Sequence, residues 1–360
     1  MELDARTVLS LSNGCAVLGG GGGGDATMAA LATQVELRKT GRSVELVELD
    51  ELPDDALIMA AFALIGAPMI MIEKLWNGDE GFRLRDAIER LTGAEVAAVM
   101  SAEIGGLNGV LPVFWAARLG LPVVDGDGIG RAFPMVHQTK MHLLGIAGSP
   151  CVLTDERANT LTIEAATNEW MEQLVRQAAE ALGGSCAGAL YPMTVAVARR
   201  AIIRGSVSRA IRIGRLLGET DGDPASSLSR ELGGVELIAG KIVDVERRTG
   251  GGFVRGFALV AADGRERGRL LRIEFQNENL AALDEGRVAA SVPDVIAILD
   301  AHSALPIQTE RLRYGQRVRV IAFPSDPIWR SSRGLKVAGP AAFGYDFPFV
   351  PVEDLVGVEA

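Results

Sequence analysis

Asp125 and Asp127, separated by one glycine, are the residues whose types and spacing most directly suggest catalysis. They follow a predicted strand at Leu121–Val124, and in an extended backbone the side chains of residues i and i+2 project from the same face. Two neighbouring carboxyl groups push their pKa values apart, which provides a general base and a general acid. The same oxygens could hold a divalent cation, with Glu103 and Asn108 as further ligands. The simpler alternative is an Asp-Gly turn whose side chains cap backbone amides.

Five further residues could contribute to a site. Arg131 follows the turn and either binds a substrate carboxylate bidentately or forms a structural salt bridge to the aspartates. His137 could carry a proton, although a structural role is commoner for a histidine. Its spacing from His142 does not match the spacing of a helical zinc site. His302, in an Asp-Ala-His-Ser stretch, is predicted to be a turn residue. Cys151 is predicted to be a small buried hydrophobe rather than a nucleophile.

Six consecutive glycines, Gly19–Gly24, are followed by Asp25 and by a predicted helix at Thr27–Lys39. The run matches G-x-G-x-x-G trivially, but a predicted strand (Cys15–Leu18), a glycine loop, a helix and then acidic Asp50 are typical of a dinucleotide-binding fold. Backbone N–H groups of such a loop can hold a phosphate, a carboxylate or a ring carbonyl oxygen. We therefore predict ligand binding by Asp25 and the loop, with a tight packing turn as the alternative; no Walker lysine follows, which excludes a P-loop. The loop residues concerned are Gly20, Gly21, Gly22, Gly23 and Gly24.

The candidate residues follow four predicted strands at the point where each strand ends. In open α/β sheets ligands bind beyond the carboxyl ends of the strands, so these segments should converge on one edge of the sheet. Gly105 and Gly106 lie beside Glu103 and Asn108 in one of these segments and are predicted to contact the ligand. The four segments are Gly19–Asp25, Gly66–Pro68, Ser101–Asn108 and Asp125–Arg131.

Short apolar runs alternate with amphipathic helical patterns over residues 1–168, which predicts an α/β domain that binds the ligand. Continuous apolar runs are typical of strands buried on both faces, so we expect a doubly wound, mainly parallel sheet. The predicted strands are Cys15–Leu18, Ser43–Leu49, Leu57–Ile65, Glu95–Met100 and Leu121–Val124. The predicted helices are Thr27–Lys39, Glu80–Leu91 and Asn108–Leu119.

Residues 169–360 are predicted to form a C-terminal domain. Its first part, residues 169–218, is predicted to be helical, with helices at Glu169–Leu182 and Met193–Leu217. From residue 232 to residue 350, β-branched runs separated by Gly and Asp turns predict a β-rich, barrel-like fold. The predicted strands there are Val235–Val245, Gly252–Ala261, Leu270–Phe275, Val295–Leu299 and Arg317–Ala322.

Composition narrows the classes of function. Among 360 residues, 46 are acidic and 36 basic, and the formal charge of −10 argues against a nucleic-acid-binding surface. The apolar run Ala56–Ile72 contains Pro68 and is slightly short for a membrane span, so a buried strand leading into a helix explains it better. Three scattered cysteines and no signal-peptide pattern lead us to expect a cytoplasmic protein without a disulfide framework. A homo-oligomer is the general expectation for such a protein.

Six short blocks in a fixed order, spread over nearly the whole chain, carry a family resemblance. They are Leu18–Asp25, Glu103–Asn108, Asp125–Pro134, Pro293–Ile296, Tyr314–Val318 and Gly344–Tyr345. Through them the chain resembles the S-methyl thiohydantoin desulfurase-like family, whose genes are associated with hydantoinases and oxoprolinases. The resemblance implies an α/β N-terminal domain, a β-containing C-terminal domain, chemistry on hydantoin-like five-membered rings, and hydantoinase or oxoprolinase subunits as partners.

We expect an enzyme that attacks a carbon of a small cyclic amide, imide or thioimidate ring with water. Asp125 or Asp127 would act as the general base, and the amides of the glycine loop would stabilise the oxyanion. Arg131 or Asn108 would orient the ring, and Glu103 completes the catalytic set. Two alternatives stay open: a ligand-binding or partner subunit of a hydantoinase or oxoprolinase system, and a nicotinamide-dependent oxidoreductase that uses the glycine loop.

Overall fold

Helices and short strands alternate over the first 219 residues. The computed structural model describes residues 1–219 and 222–355. The strands of the first part are β1 (Glu2–Leu3), β2 (Val44–Val47), β3 (Leu57–Gly66), β4 (Val96–Ser101), β5 (Val123–Val124), β6 (Gly126–Asp127), β7 (Cys151–Thr154), β8 (Thr160–Ile163), β9 (Ser185–Ala189), β10 (Met193–Thr194) and β11 (Ile203–Arg204). The helices are α1 (Ala5–Leu18), α2 (Ala26–Thr40), α3 (Glu80–Thr92), α4 (Leu107–Leu119), α5 (Lys140–Leu143), α6 (Asn168–Ala181), α7 (Val195–Ala201) and α8 (Ser206–Glu219).

β3 lies at the centre of a large sheet, and all ten of its residues are buried. Its side chains alternate between two separate hydrophobic cores, because successive residues of a strand point to opposite faces. Met59 and Ala61 pack in the core that contains α1 and α4, whereas Ala60 and Phe62 pack in the core that contains α6. Helices therefore cover both faces of the sheet, which confirms the predicted α/β architecture.

The strand order of the sheet is β1-β2-β5-β4-β3-β9-β7-β8, with β10 also paired to β3. The four strands β2, β5, β4 and β3 are parallel, and they correspond to four of the predicted strands. Strands β9, β7 and β8 extend this parallel core in antiparallel fashion. β9 follows residue 168, where we predict the domain boundary, and so the sheet includes a strand from beyond that boundary.

The prediction of a strand at Cys15–Leu18 is wrong, because these residues form the last turn of α1. The helix begins after Asp4, whose side chain accepts hydrogen bonds from the backbone N–H groups of Arg6 and Thr7. Its buried residues Val8, Leu11, Cys15 and Leu18 recur at helical spacing. The glycine run therefore connects two helices, and the strand–loop–helix argument for a dinucleotide site loses its basis.

The predicted long helix at Met193–Leu217 is also wrong. The segment is divided into β10, α7, β11 and α8, and the break lies at β11, which pairs with β6 in a two-stranded sheet. Gly205, whose φ of 73° lies in the left-handed region, follows this strand and starts the turn into α8. Helix α8, the last of these four elements, packs against α1.

Two glycines allow α1 and α8 to approach each other closely. A Cβ atom at Gly14 of α1 would overlap the backbone of Ala210, and a Cβ atom at Gly214 of α8 would overlap the backbone of Ser10. By contrast, no atom lies within 4 Å of a Cβ built at Gly218, in the same helix. The contact between the two helices therefore depends on the absence of a side chain at Gly14 and Gly214.

The second part of the chain is a β-rich domain, as predicted, built on a seven-stranded antiparallel sheet of order β16-β15-β14-β13-β12-β18-β17. Its strands are β12 (Val235–Gly250), β13 (Phe253–Ala262), β14 (Leu270–Gln276), β15 (Glu278–Asp284), β16 (Arg287–Ser291), β17 (Val295–Asp300) and β18 (Arg317–Phe323). Its helices are α9 (Pro224–Glu231), α10 (Pro327–Arg330), α11 (Ser332–Ala338) and α12 (Val352–Leu355). The sequence of β15 and β16 is rich in alanine and poor in β-branched residues, which is why no strands are predicted there.

The two domains share a hydrophobic core. Val295, Ala297 and Leu299 of β17 belong to the same cluster of buried residues as α1 and α4. The apolar run Ala56–Ile72 is accounted for by β3 and a short 3-10 helix at Pro68–Ile72. In the described part of the chain, no helix has the length and apolar character needed to cross a membrane.

Candidate active site

The glycine loop lies where the two domains meet, and all six of its glycines are buried. Its carbonyl groups are bound from the β-rich domain: the N–H of Asn279 donates to the oxygen of Gly20 at 2.8 Å, and the N–H of Thr309 to that of Gly21 at 2.9 Å. A Cβ atom at Gly22 would overlap the carboxyl group of Glu278. The absence of side chains here lets the β-rich domain, and Glu278 in particular, approach the loop.

Gly105 and Gly106 pack against the same loop, backbone against backbone. The N–H of Gly106 donates to the oxygen of Cys15 at 2.7 Å, and a Cβ atom at Gly106 would come within 2.5 Å of the carbonyl carbon of Gly23. The N–H of Leu107 donates to the oxygen of Gly23 at 2.9 Å. These contacts agree with the packing-turn alternative, and ligand binding by these glycines stays a prediction.

Gly24 and Asp25 lead into α2. Gly24 has a φ of 78°, in the left-handed region. The side chain of Asp25 caps the helix, accepting a hydrogen bond from the N–H of Thr27 at 2.9 Å, and forms an ion pair with Arg311. Both residues are thus engaged in holding the start of α2 and its contact with the β-rich domain.

A small pocket of about 30 Å³ lies between the domains, next to the glycine loop. Three residues predicted for the site line it: Gly23, Glu103 and Asn108. The structure therefore brings together these three of the residues that the sequence predicts for the site. The other lining residues are Phe62, Leu64, Ile65, Gly66, Pro68, Phe133, Pro134, Val136, Arg176, Asn277 and Glu278.

Glu103 follows β4, and only 3% of it is exposed. Its Oε1 accepts a hydrogen bond from Nδ2 of Asn108 at 2.8 Å, and its Oε2 accepts one from the N–H of Phe133 at 3.2 Å. Asn108 is held in turn by the backbone of β3, since its Oδ1 accepts from the N–H of Leu64 at 2.7 Å. Burial raises the pKa of Glu103 to about 8 despite these hydrogen bonds.

Glu278 is the site residue that the sequence reasoning missed. It starts β15 directly after Asn277, whose φ of 58° turns the chain sharply out of β14. Burial raises the pKa of Glu278 well above its usual range, and the nearby charge of Glu103 raises it further. Its Oε2 atom is buried and has no hydrogen-bond partner among the described residues. The raised pKa favours the protonated form of this carboxyl group, which can donate a proton.

Arg131 is fully buried beside these two acids. Its Nη1 donates to the carbonyl oxygens of Pro293 and Asp294 at 2.5 and 2.8 Å, and its Nε donates to that of Ala132 at 2.9 Å. Its Nη2 has no partner within residues 1–219 and 222–355. Burial lowers the pKa of Arg131 to about 10, against the opposing effect of Glu278 and other nearby acids, so the guanidinium stays charged. It supplies a positive charge close to both carboxyl groups.

Asp125 and Asp127 lie outside this pocket and bind separate sets of donors. Oδ2 of Asp127 accepts three backbone hydrogen bonds, from Ile104, Ile129 and Gly130, at 2.8–2.9 Å. Asp125 caps the start of α8 by accepting from the N–H and the hydroxyl of Ser208 at 3.0 and 2.5 Å. Burial raises the pKa of Asp127 to about 6. These contacts favour the capping alternative, and the predicted catalytic role of both residues stays a prediction.

Two family models together match almost the entire chain. The model described as S-Me-THD-like, N-terminal domain, matches residues 6–165, and the model described as S-Me-THD-like, C-terminal domain, matches residues 166–352. The chain belongs to the S-Me-THD-like family. This result confirms the family that the six sequence blocks predict. Among curated proteins, no match was found.

The fold of this S-Me-THD-like family member is also present among solved structures. A crystal structure of a protein from Chromobacterium violaceum superimposes with a TM-score of 0.81 at 25% sequence identity. The match covers 98% of this chain and 100% of the other. The similarity therefore extends over both domains.

The remaining sequence candidates of this S-Me-THD-like chain lie away from the pocket. His137 lines a larger neighbouring pocket of about 440 Å³, and burial lowers the pKa of this histidine to about 4. Cys151 is buried in β7, and burial raises the pKa of its thiol to about 12, which argues against a nucleophile. His302 is exposed in the turn after β17, where its N–H donates to Oδ1 of Asp300 at 3.1 Å.

A divalent cation at Asp125 and Asp127 stays a prediction. Among the described residues of this S-Me-THD-like chain, no group of three or more His, Cys, Asp or Glu side chains is arranged to hold a metal ion. Asp50, the acid predicted to serve a dinucleotide, pairs instead with Arg199 and Arg204 on the surface, at 3.1 and 3.0 Å.

The pocket brings together two carboxyl groups that differ in their readiness to ionise. Glu103 accepts two hydrogen bonds that favour its charged form, whereas Glu278 keeps one oxygen unpartnered among the described residues. Such a difference between neighbouring acids is what general acid–base catalysis requires. The pocket volume corresponds to roughly two water molecules. The arrangement is therefore suited to activating a water molecule.

Proposed function

We propose that this chain hydrolyses a small five-membered ring of the cyclic amide or thioimidate type, with an S-methyl thiohydantoin as the representative substrate. The single observation that carries the proposal is the meeting of Glu103 and Glu278, from different domains, in one buried pocket beside Arg131. Membership of the S-Me-THD-like family supports the choice of ring.

In the proposed reaction, ionised Glu103 takes a proton from water as the water oxygen bonds to the ring carbon that carries sulfur. The electrons of the C=N bond move to the ring nitrogen, which receives a proton from Glu278. The intermediate then returns its hydroxyl proton to Glu278 as the C–S bond breaks, and the thiolate leaves with the proton held by Glu103. One water is consumed, a ring carbonyl and methanethiol are formed, and both acids regain their starting states.

The other residues near the pocket have supporting roles in this proposal. Asn108 holds Glu103 in position and favours its ionised form. Arg131 stabilises negative charge that develops during the addition of water, since its Nη2 has no partner among the described residues. Asp127 fixes the loop between β4 and α4 through the N–H of Ile104 and so positions Glu103.

The size of the pocket places a requirement on substrate entry. A space for roughly two water molecules is too small for a five-membered ring. Part of the pocket lining must therefore move as the substrate binds. Arg176 lines both this pocket and the neighbouring one of about 440 Å³, which therefore offers an approach to the two acids.

The proposal is tested by mass-spectrometric turnover of hydantoins, dihydropyrimidines and S-methyl thiohydantoins with the purified protein. Glu103→Gln and Glu278→Gln should each lower kcat by about 100-fold or more, because each removes one proton-transfer group. Glu310→Gln is the matched control, since Glu310 is also buried with a pKa raised to about 7 but lies outside the pocket. Wild-type turnover in either pocket variant would remove that residue from the mechanism.

A second candidate function is that of a partner subunit in a hydantoinase-type assembly. One observation favours it: Met28, Leu31 and Val35 of α2 are 50–63% exposed and recur at helical spacing along one side of the helix. If no ring is turned over by the isolated protein, co-purification with a larger subunit that restores turnover would support this function. Turnover by the isolated chain would make it unnecessary.

A further inference from the structure

A concave surface of about 500 Å³ lies on the β-rich domain, apart from the catalytic pocket. Strands β12, β13 and β14 form its floor, and Phe343 and Tyr345 from the segment after α11 form one side. Gly256 in the floor leaves no room for a side chain, because a Cβ there would overlap the backbone of Glu246. The residues that line it are Glu246, Arg248, Arg255, Gly256, Phe257, Arg272, Glu274, Phe275, Gln276, Leu280, Phe343 and Tyr345. We call this surface the arginine pocket.

Three arginines line the arginine pocket, and they differ in their partners. Arg248 forms an ion pair with Glu246 at 2.7 Å, and Arg272 forms one with Glu274 at 2.9 Å. The Nε of Arg255 donates only to a neutral group, Oε1 of Gln276, at 3.0 Å. Arg255 has no acidic partner in the described ranges, and it is therefore the cation available to a ligand.

Gln276 provides a second available donor next to Arg255. Only 9% of this side chain is exposed. Its Oε1 is occupied by Arg255, while its Nε2 is buried and finds no hydrogen-bond acceptor among the described residues. A buried polar group without a partner costs free energy, and a ligand oxygen would remove that cost.

Aromatic rings surround these donors. Phe257 lies in the floor, and Phe343 and Tyr345 lie at the side. The guanidinium of Arg272 lies 3.7 Å from the centre of the Phe257 ring, and Tyr345 is stacked on Phe347 at 5.0 Å between ring centres. Aromatic side chains with a few convergent polar groups are typical of sites for planar small molecules.

We propose that the arginine pocket binds a small planar aromatic carboxylate. One carboxylate oxygen pairs with the guanidinium of Arg255 and the other accepts from Nε2 of Gln276, while the ring packs against the aromatic side chains. One unpaired cation and one amide donor match a single negative charge. The neighbouring carboxylates of Glu246 and Glu274 would repel a dianion such as a phosphate monoester.

The site is independent of the proposed hydrolysis, because Gln276 and Arg255 take no part in that mechanism. The probe is 1-naphthoate, titrated into the full-length protein by isothermal titration calorimetry, with neutral 1-naphthamide as the comparison. The naphthoate should bind with one site per chain, and the amide at least about tenfold more weakly, because it lacks the charge.

Arg255→Gln should raise the Kd for naphthoate about tenfold or more, and Arg255→Lys should restore part of the affinity. Arg157→Gln is the matched control, since Arg157 is an exposed arginine of the α/β domain with 66% of its side chain accessible. Binding unchanged in Arg255→Gln, equal binding of the amide, or no binding at millimolar naphthoate would each overturn the proposal.

Discussion

At the scale of single residues, the central feature is that Glu103 and Glu278 share a pocket yet have different hydrogen-bond partners. Burial raises the pKa of Glu103 to about 8 and holds the pKa of Glu278 well above its usual range. In the proposed reaction Glu103 must be ionised and Glu278 protonated. The productive combination therefore requires a pH high enough for Glu103 to ionise.

We therefore expect kcat/KM for hydrolysis of the S-methyl thiohydantoin to rise with pH and to level off above about pH 8, as Glu103 ionises. The measurement is kcat/KM between pH 6 and 9.5. The same rise should persist in Glu310→Gln, because this variant removes the other buried acid that titrates near neutral pH, with a pKa of about 7. If the rise shifts in Glu310→Gln, or persists in Glu103→Gln at a lower rate, the assignment to Glu103 is wrong.

At the scale of elements, the parallel strands and the residues that follow them can be predicted from the sequence. The packing of the β-rich domain against the α/β domain cannot. Glu103 and Asn108 were predictable because both follow β4, one of the continuous apolar runs. Glu278 was not, because it reaches the pocket through packing between domains. The one local signal in the sequence is the run of four consecutive polar residues, Gln276–Asn279. The structure shows that all four are buried.

Helix α1 shows why a short apolar run is ambiguous. Cys15–Leu18 fits a strand when it is read alone, since four apolar residues are compatible with either structure. The residues before it decide the matter, because Val8 and Leu11 continue the same buried face at helical spacing. The glycine run lies beside the pocket, which Gly23 lines, but the structure of the residues before it is wrongly predicted for this reason.

The contact between α1 and α8 gives a prediction with a control in the same helix. Gly214→Ala should lower the free energy of unfolding by about 1–3 kcal/mol, because the new methyl group would overlap the backbone of Ser10. Gly218→Ala places the same methyl group where no atom lies within 4 Å, and it should be neutral or stabilising by up to about 1 kcal/mol. Urea unfolding of both variants decides this, and equal effects would contradict the role assigned to Gly214.

At the scale of the whole molecule, three buried glutamates with raised pKa values lie where the two domains meet. Besides the two pocket glutamates, Glu310 is buried near Asp25, and burial raises the pKa of Glu310 to about 7. The folded protein keeps protons on these groups at pH values where the unfolded chain, with glutamate pKa values of about 4.3, has lost them. Raised pKa values of this kind make the folded state less stable as pH increases.

We therefore expect the free energy of unfolding to fall as pH increases from 7 to 8, with Glu103 alone contributing roughly 1 kcal/mol over that interval before it ionises in the folded protein. His137 does not obscure this window, because burial lowers its pKa to about 4, and unfolded histidine titrates at about 6.5. Denaturant unfolding between pH 6.5 and 9 measures the slope. Glu103→Gln should make it shallower, since glutamine cannot release a proton, and an unchanged slope in this variant would show that Glu103 is ionised in the folded protein at pH 7.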